Sequence, residues 1–265
     1  MKIPVSFLHT SPAAICLAIT VSCAFAQNTS YENLNAVLWM QTSQEYRAAA
    51  LGTYRNAEAS LMRGLSDRTW TAALEQTQPA SELPPAVILD LDETVLDNSA
   101  LQAQLTASKG TYDEKVWNSW VAKVQAGLVP GAAEFLAQAQ AHGVSLFYVT
   151  NRVCDAKNPA DPTVLVLRKH NLPFHMDRLL CRSDNGDKSP RRAYVGRGHR
   201  VILLIGDDYN DFVIADRSLE ARSQAVLPYE RYWGERWFLL PNPTYGSWER
   251  AVGYKVAEKL EKLRK

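Results

Sequence analysis

The stretch that most constrains this chain is Val87-Ile88-Leu89-Asp90-Leu91-Asp92-Glu93-Thr94-Val95-Leu96-Asp97-Asn98, an apolar run that stops in a group of carboxylates. Val, Ile and Leu without polar alternation, after the breaker Pro84-Pro85, read as a strand buried on both faces of a parallel sheet. The carboxyl end of such a strand is where an open α/β sheet holds its ligand. Asp90 and Asp92, two residues apart at that end, repel one another unless a cation or a shared proton lies between them. The stretch therefore asks for a hard metal ion.

The same design recurs downstream. Val144 to Thr150 is a second buried strand, ending in Thr150-Asn151-Arg152. Asp177 to Cys181 is a short third strand, after which Asp187-Lys188-Ser189-Pro190 opens a helix. Val201 to Ile205 is a fourth, running into Gly206-Asp207-Asp208-Tyr209-Asn210-Asp211-Phe212, and Trp237 to Leu240 is a late strand. Helices are expected from Pro130-Gly131 to Ala141, from Pro162 to His170, and from Trp248 to the end. Strands alternating with helices at this spacing give right-handed crossovers and an α/β doubly wound parallel sheet.

Two segments flank or interrupt that core, taken as residues 81–99 and 128–265. Residues 27–80 form an N-terminal helical segment packing on it. Its period runs from Tyr31 to about Gln78, with Tyr46, Ala50, Tyr54, Ala57 and Leu61 at spacings of three and four. Residues 100–127 are an insertion after the first strand, over the carboxyl edge of the sheet, and read as a small helical cap. Its Trp117 and Trp120, three apart, share a helical face and serve either as core or as ligand-stacking rings.

In a parallel sheet the four strand ends lie on one edge, so Asp90, Asp92, Thr150, Lys188, Asp207, Asp208 and Asp211 converge. The carboxylates favour an oxygen-ligand cation such as Mg²⁺. Lys188, Thr150 and backbone N–H groups at helix starts favour a phosphate. A metal and a phosphate in one site mean phosphoryl transfer, with one Asp free to attack phosphorus and another to move a proton. Lys plus Arg is 29 and Asp plus Glu 28, so no overall field recruits a nucleic-acid polymer or an anionic membrane. The expected partner is a small phosphomonoester, and the oligomeric state is left open, a homodimer included.

The N-terminus reads as a targeting segment. Lys2, the apolar Ala13 to Val21 and the Ala24-Phe25-Ala26 site form a secretory signal over residues 1–26, giving an exported, periplasmic protein. The alternative is an outer-membrane lipoprotein anchored through Cys23. Loss of Lys2 leaves 28 basic against 28 acidic residues. Cys154 and Cys181 then remain, either as a disulfide worth roughly 3 to 4 kcal/mol or as two buried thiols.

Asp90-Leu91-Asp92-Glu93-Thr94, Thr150, Lys188 and Gly206-Asp207-Asp208-Tyr209-Asn210-Asp211-Phe212 resemble the four ordered motifs of haloacid dehalogenase (HAD) superfamily phosphatases. With Leu240-Pro241-Asn242-Pro243-Thr244-Tyr245-Gly246-Ser247-Trp248-Glu249, they are similar to the class C acid phosphatases, the lipoprotein e(P4) family of 5'-nucleotidases. The resemblance implies a HAD-like, Rossmannoid core and an acid phosphatase using Mg²⁺ and an aspartyl-phosphate. It implies Asp90 as nucleophile and metal ligand. Asp92 becomes the general acid, its backbone carbonyl on the metal, and Asp207 the second carboxylate ligand. Asp211 falls in the metal's outer shell, Thr150 and Lys188 on the phosphate, and Trp117 and Tyr245 on a nucleobase. Arg152 and Asn151 receive no role, and Asp208, where the family commonly has Asn, is expected to face solvent. Competing readings are a phosphotransferase, a phosphatase of non-nucleotide esters, and a non-catalytic surface binding lipoprotein.

Overall fold

The computed structural model describes residues 31–182, 185–214 and 218–264. The expected leader, with Cys23, lies outside them. Pro85–Leu89 (β1) is buried from Ala86 to Leu89, as an all-apolar strand between two covered faces must be. Leu96–Asp97 (β2) pairs antiparallel with Gly127–Leu128 (β3), so the chain between them leaves and rejoins at one point. The other strands are Ser145–Val149 (β4), Leu179–Leu180 (β5), Arg200–Gly206 (β6) and Trp237–Leu239 (β7). Together with β1 they form a five-stranded parallel sheet in the order β5-β4-β1-β6-β7. The strand order reverses at β1, between β4 and β6. The crevice beyond its carboxyl end is therefore the topological switch point where such sheets bind ligands.

The first helices are Leu34–Thr42 (α1) and Gln44–Ser66 (α2), and the insertion carries Ser99–Ser108 (α3) and Glu114–Ala122 (α4). Ala132–Ala141 (α5), Pro162–Lys169 (α6) and Ser189–Gly198 (α7) supply the crossovers. One face of the sheet is covered by α2 and α5, with Tyr54, Ala57, Leu61, Phe135 and Leu136 buried against Val87 and Leu89. The other is covered by α7 and by Ala72, Ala73, Phe212 and Trp237, packed on Ile88 and Phe147.

Two expectations need correction. The helical period to Gln78 breaks at Ser66, because the chain there gains tertiary bonds that a continuing helix could not make. Asp67 accepts from the backbone N–H of Thr69, Trp70 Nε1 donates to the Ile202 carbonyl, and the Ala72 N–H donates to Val201. Residues 67–84 thereby cross from one face of the sheet to the other. The closing helix is likewise divided, into Ser247–Val252 and Val256–Lys262, at Gly253 with φ of +105°. The sequence reading also missed Leu219–Val226 and the 3-10 turn Leu227–Tyr232. That turn sets Tyr229 and Tyr232 round Trp237 at centroid distances of 5.8 and 5.1 Å.

Cys154 and Cys181 form a disulfide, with Cα atoms 5.6 Å apart, tying the loop after β4 to the end of β5. Among the described residues no helix is long and apolar enough to cross a membrane.

Candidate active site

Asp90 is the first residue beyond β1, and its N–H still donates to Ile205 of β6 at 2.9 Å, so its side chain is fixed at the sheet edge. Gly206 ends β6 and Asp207 follows. The chain then turns through Tyr209–Asp211, and Asp211 folds back onto Gly206. A Cβ on Gly206 would lie 2.1 Å from Asp211 Oδ2, so only glycine admits this return. Carboxylate oxygens of Asp90, Asp207 and Asp211 all lie within 4.8 Å of one another.

Lys188, directly before α7, enters the cluster from the far side. Its Nζ donates to Asp90 Oδ1 and, at 2.6 Å, to Asp211 Oδ1. One ammonium faces three carboxylates, and the imbalance shows in their affinities for protons. Burial pushes the Asp90 carboxyl up to about 7 against the pull of Lys188, with Asp211 and Asp92 adding to the rise. Burial, then the charges of Asp90 and Asp211, hold Asp207 well above the carboxylate range. Asp211 is raised by burial too, with Lys188 opposing. Burial alone would lower the Lys188 ammonium, but Asp211 and Asp90 outweigh it and raise it. A set of hard oxygen donors carrying more negative charge than its one cation offsets fits a divalent ion.

Each acid has further support. Asp207 accepts from Thr94 Oγ1 at 3.1 Å and from Asn242 Nδ2 at 2.8 Å, which brings the segment after β7 into the site. Asp211 Oδ2 accepts from the Asp208 N–H at 3.0 Å. Thr150, fully buried, accepts from the N–H of Arg152 at 3.1 Å and keeps its hydroxyl proton to donate elsewhere. Arg192, 1% exposed, forks onto Glu75 and donates to the carbonyls of Asn210 and Asp211, locking α7 to the Asp207 loop.

Asp92 has a different set of partners from the three clustered acids. Arg152 Nε donates to its two oxygens at 3.1 and 3.0 Å and Nη2 to Oδ1 at 2.7 Å, while Asn98 Nδ2 donates to Oδ1 at 2.9 Å. Its neighbour Glu93 is fully buried in the left-handed region, φ +56°, a conformation that costs an ordinary residue about 1 to 3 kcal/mol. Asn98 N–H holds its Oε1 at 2.8 Å and the Tyr245 hydroxyl donates to Oε2. Burial, then the charge of Asp92, holds Glu93 well above its usual range. Tyr245 and Trp117 are both half-buried. The Trp117 ring lies 5.6 Å from the Arg152 guanidinium carbon.

The structure thus brings Asp90, Lys188, Asp207 and Asp211 together, places Thr150 at the end of the neighbouring strand β4, and holds Asp92 on Arg152 and Asn98. It corrects the expectation for Asp208. That carboxylate is half-buried, caps the turn through Asn210 N–H at 2.9 Å, and accepts from the Ser247 N–H and, at 2.7 Å, its hydroxyl. Sequence reasoning missed Glu93, Asn98, Arg152, Arg192 and Asn242. Glu93 and Asn242 lie inside the quoted motif stretches and Arg152 and Asn98 beside recognised residues, which is the available signal; Arg192 carries none.

A parallel α/β sheet with acidic ends on two adjacent strands, a threonine at the end of the next strand and a lysine bonded to the acids defines a phosphoryl-transfer enzyme. The family described as HAD superfamily, subfamily IIIB (acid phosphatase), matches residues 13–248. The class C acid phosphatase from Bacillus anthracis superposes with a TM-score of 0.76 at 31% identity, covering 90% of this chain and 99% of that one. A structure of the class C acid phosphatase from the same organism with tungstate bound gives 0.75 at 30% identity, over 89% and 98%. The chain belongs to this acid phosphatase family and is a phosphoric monoester hydrolase.

Proposed function

We propose that the protein is an exported, Mg²⁺-dependent acid phosphatase that hydrolyses 5'-nucleotides through an aspartyl-phosphate. The observation that carries this reading is the placement of Asp90 at the switch point, against Lys188 and within 4.8 Å of Asp207 and Asp211. Asp90 and Asp207, with the backbone carbonyl of Asp92, would hold the ion, and Asp211 would steady Lys188. Bound there, Mg²⁺ supplies positive charge against the phosphoryl oxygens, so that one anion can approach another.

The chain's own residues do the rest. Lys188 and the Thr150 hydroxyl grip the phosphoryl group. An oxygen of Asp90 bonds to phosphorus as the ester P–O bond breaks, and that electron pair leaves on the ester oxygen, which takes the proton of the Asp92 carboxyl. Asp92 then removes a proton from water, whose oxygen bonds to phosphorus while the Asp90–phosphorus bond breaks and phosphate departs. The insertion between β2 and β3 acts as the cap, and Trp117 and Tyr245 offer half-buried rings for a base. The disulfide supports export, since such bonds persist in oxidising compartments.

The test is turnover of p-nitrophenyl phosphate with Mg²⁺ by the wild type and Asp90→Asn. Loss of several orders of magnitude is expected, and equal rates sink the nucleophile assignment. A panel of 5'- and 3'-nucleotides beside simple alkyl phosphates tests the substrate class, and equal kcat/KM across it removes the nucleotide reading.

A further inference from the structure

The carboxylate of Asp92 is held by two residues that have no part in gripping metal or phosphate. Arg152 is 3% exposed and approaches it as a fork, through Nε and Nη2. A planar guanidinium fixes the plane of the carboxylate it forks onto, which an ammonium cannot do. Asn98 is fully buried and gives Nδ2 to the same carboxylate.

Each of these two residues is in turn set by one tryptophan of α4. The Trp117 ring carries the Arg152 guanidinium. Trp120, 3% exposed, donates its indole N–H to Asn98 Oδ1 at 2.8 Å. An indole nitrogen can donate but not accept, so this bond decides which way the Asn98 amide is turned and sends its NH₂ toward Asp92. Trp117 and Trp120 lie three apart on one helical face, so a single rigid element controls both holders.

We infer that α4 is a positioning element for Asp92, in which Trp117 and Trp120 set Arg152 and Asn98, and these fix the carboxylate that serves the leaving oxygen. The inference rests on the reading of Asp92 as proton carrier. It gives the insertion a part in proton transfer besides covering the substrate. A proton donor must sit within hydrogen-bond reach of its target, and small misplacements are costly.

The leaving group separates positioning from general damage. Ethyl phosphate needs a proton on its departing oxygen, whereas p-nitrophenolate leaves without one. The readout is kcat/KM, which ends with departure of the leaving oxygen and excludes the later attack of water, a step common to both esters. With purified protein and Mg²⁺, Asp92→Asn should lower kcat/KM far more on ethyl phosphate than on p-nitrophenyl phosphate. Arg152→Lys should reproduce that direction, losing about 10- to 100-fold in kcat/KM on ethyl phosphate and under about 3-fold on the aryl ester. Trp117→Leu should shift the ratio the same way by a smaller factor, and Trp117→Phe, which keeps a ring over the guanidinium, should restore most of it. Equal losses of kcat/KM on both esters in Arg152→Lys overturn the inference while Asp92→Asn still discriminates. An Asp92→Asn that lowers kcat/KM equally on both esters removes the proton-donor reading and the inference with it. Should Arg152→Lys fail to fold, an unchanged ratio in Trp117→Leu is sufficient to overturn the positioning role.

Discussion

Replacing Cys154 and Cys181 together by Ser removes a crosslink that spans 27 positions of chain. The folded loop has its own anchors, since Val164, Val166 and Leu167 of α6 are buried in the main core. The folded state therefore keeps its contacts, and the larger effect falls on the unfolded chain, which regains the freedom that closure denied it. Loop-entropy arithmetic for a closure of this length gives about −12 cal/mol/K, or about 3.5 kcal/mol at room temperature. With a urea dependence of about 3 kcal/mol/M, the unfolding midpoint should fall by a little over ~1 M. The assay is equilibrium urea unfolding followed by tryptophan fluorescence, on oxidised wild type, wild type with reductant, and the double variant. The last two curves should coincide. A difference below ~0.5 kcal/mol between oxidised wild type and variant, in protein whose denatured form titrates no free thiol between residues 27 and 265, would refute the reasoning.

Metal-free protein should lose stability as pH rises from about 4 to about 7. Asp90 is raised from 3.8 to about 7, and Asp207, Asp211 and Glu93 are raised too. In that window the native state binds more protons than the unfolded chain, so their stabilising contribution is full at the acid end and is lost toward the folded value. Melting temperatures in EDTA should show this slope and saturating Mg²⁺ should flatten it; an EDTA profile that rises with pH contradicts the cluster. Gly206→Ala puts a Cβ on Asp211 and should cost kcat on the order of 100-fold, whereas unimpaired turnover would show that Asp211 need not return onto the strand. Tyr245→Ala should raise KM for a 5'-nucleotide about 5- to 160-fold, the worth of one stacked base, and affect p-nitrophenyl phosphate less. Unchanged selectivity between the two would exclude a stacking role.

The strands and their acidic ends were legible because two local signals coincide there, an apolar run without alternation and a polar group at its exit. Asp90, Thr150 and Asp207 each stand at such a boundary, and Lys188 stands at a helix start marked by Ser189-Pro190. Residues recruited by tertiary reach carry no such mark. Arg152 finds Asp92 across 60 residues, Asn242 finds Asp207 across 35, and Tyr245 finds Glu93 across 152. Asp208 looked exposed because nothing near it in sequence announces Ser247, its partner 39 positions away. The end of α2 was hidden for the same reason. Asp67 can cap locally, but the bonds that draw residues 67–84 off the helix belong to Ile202 and Val201.

The position of β1 at the centre of the sheet bears on how the chain assembles as it emerges N-terminus first. One edge of β1 can pair once β4 has been made, but its other edge waits for β6, and 113 residues separate Thr94 from the Asp207 that follows β6. Until then this all-apolar strand presents an open row of backbone donors and acceptors, a state prone to pair with another chain. The acids of the future site sit at the end of that exposed edge. Asp90 and Asp92, already present there, set like charges against any second copy that pairs with that edge in register.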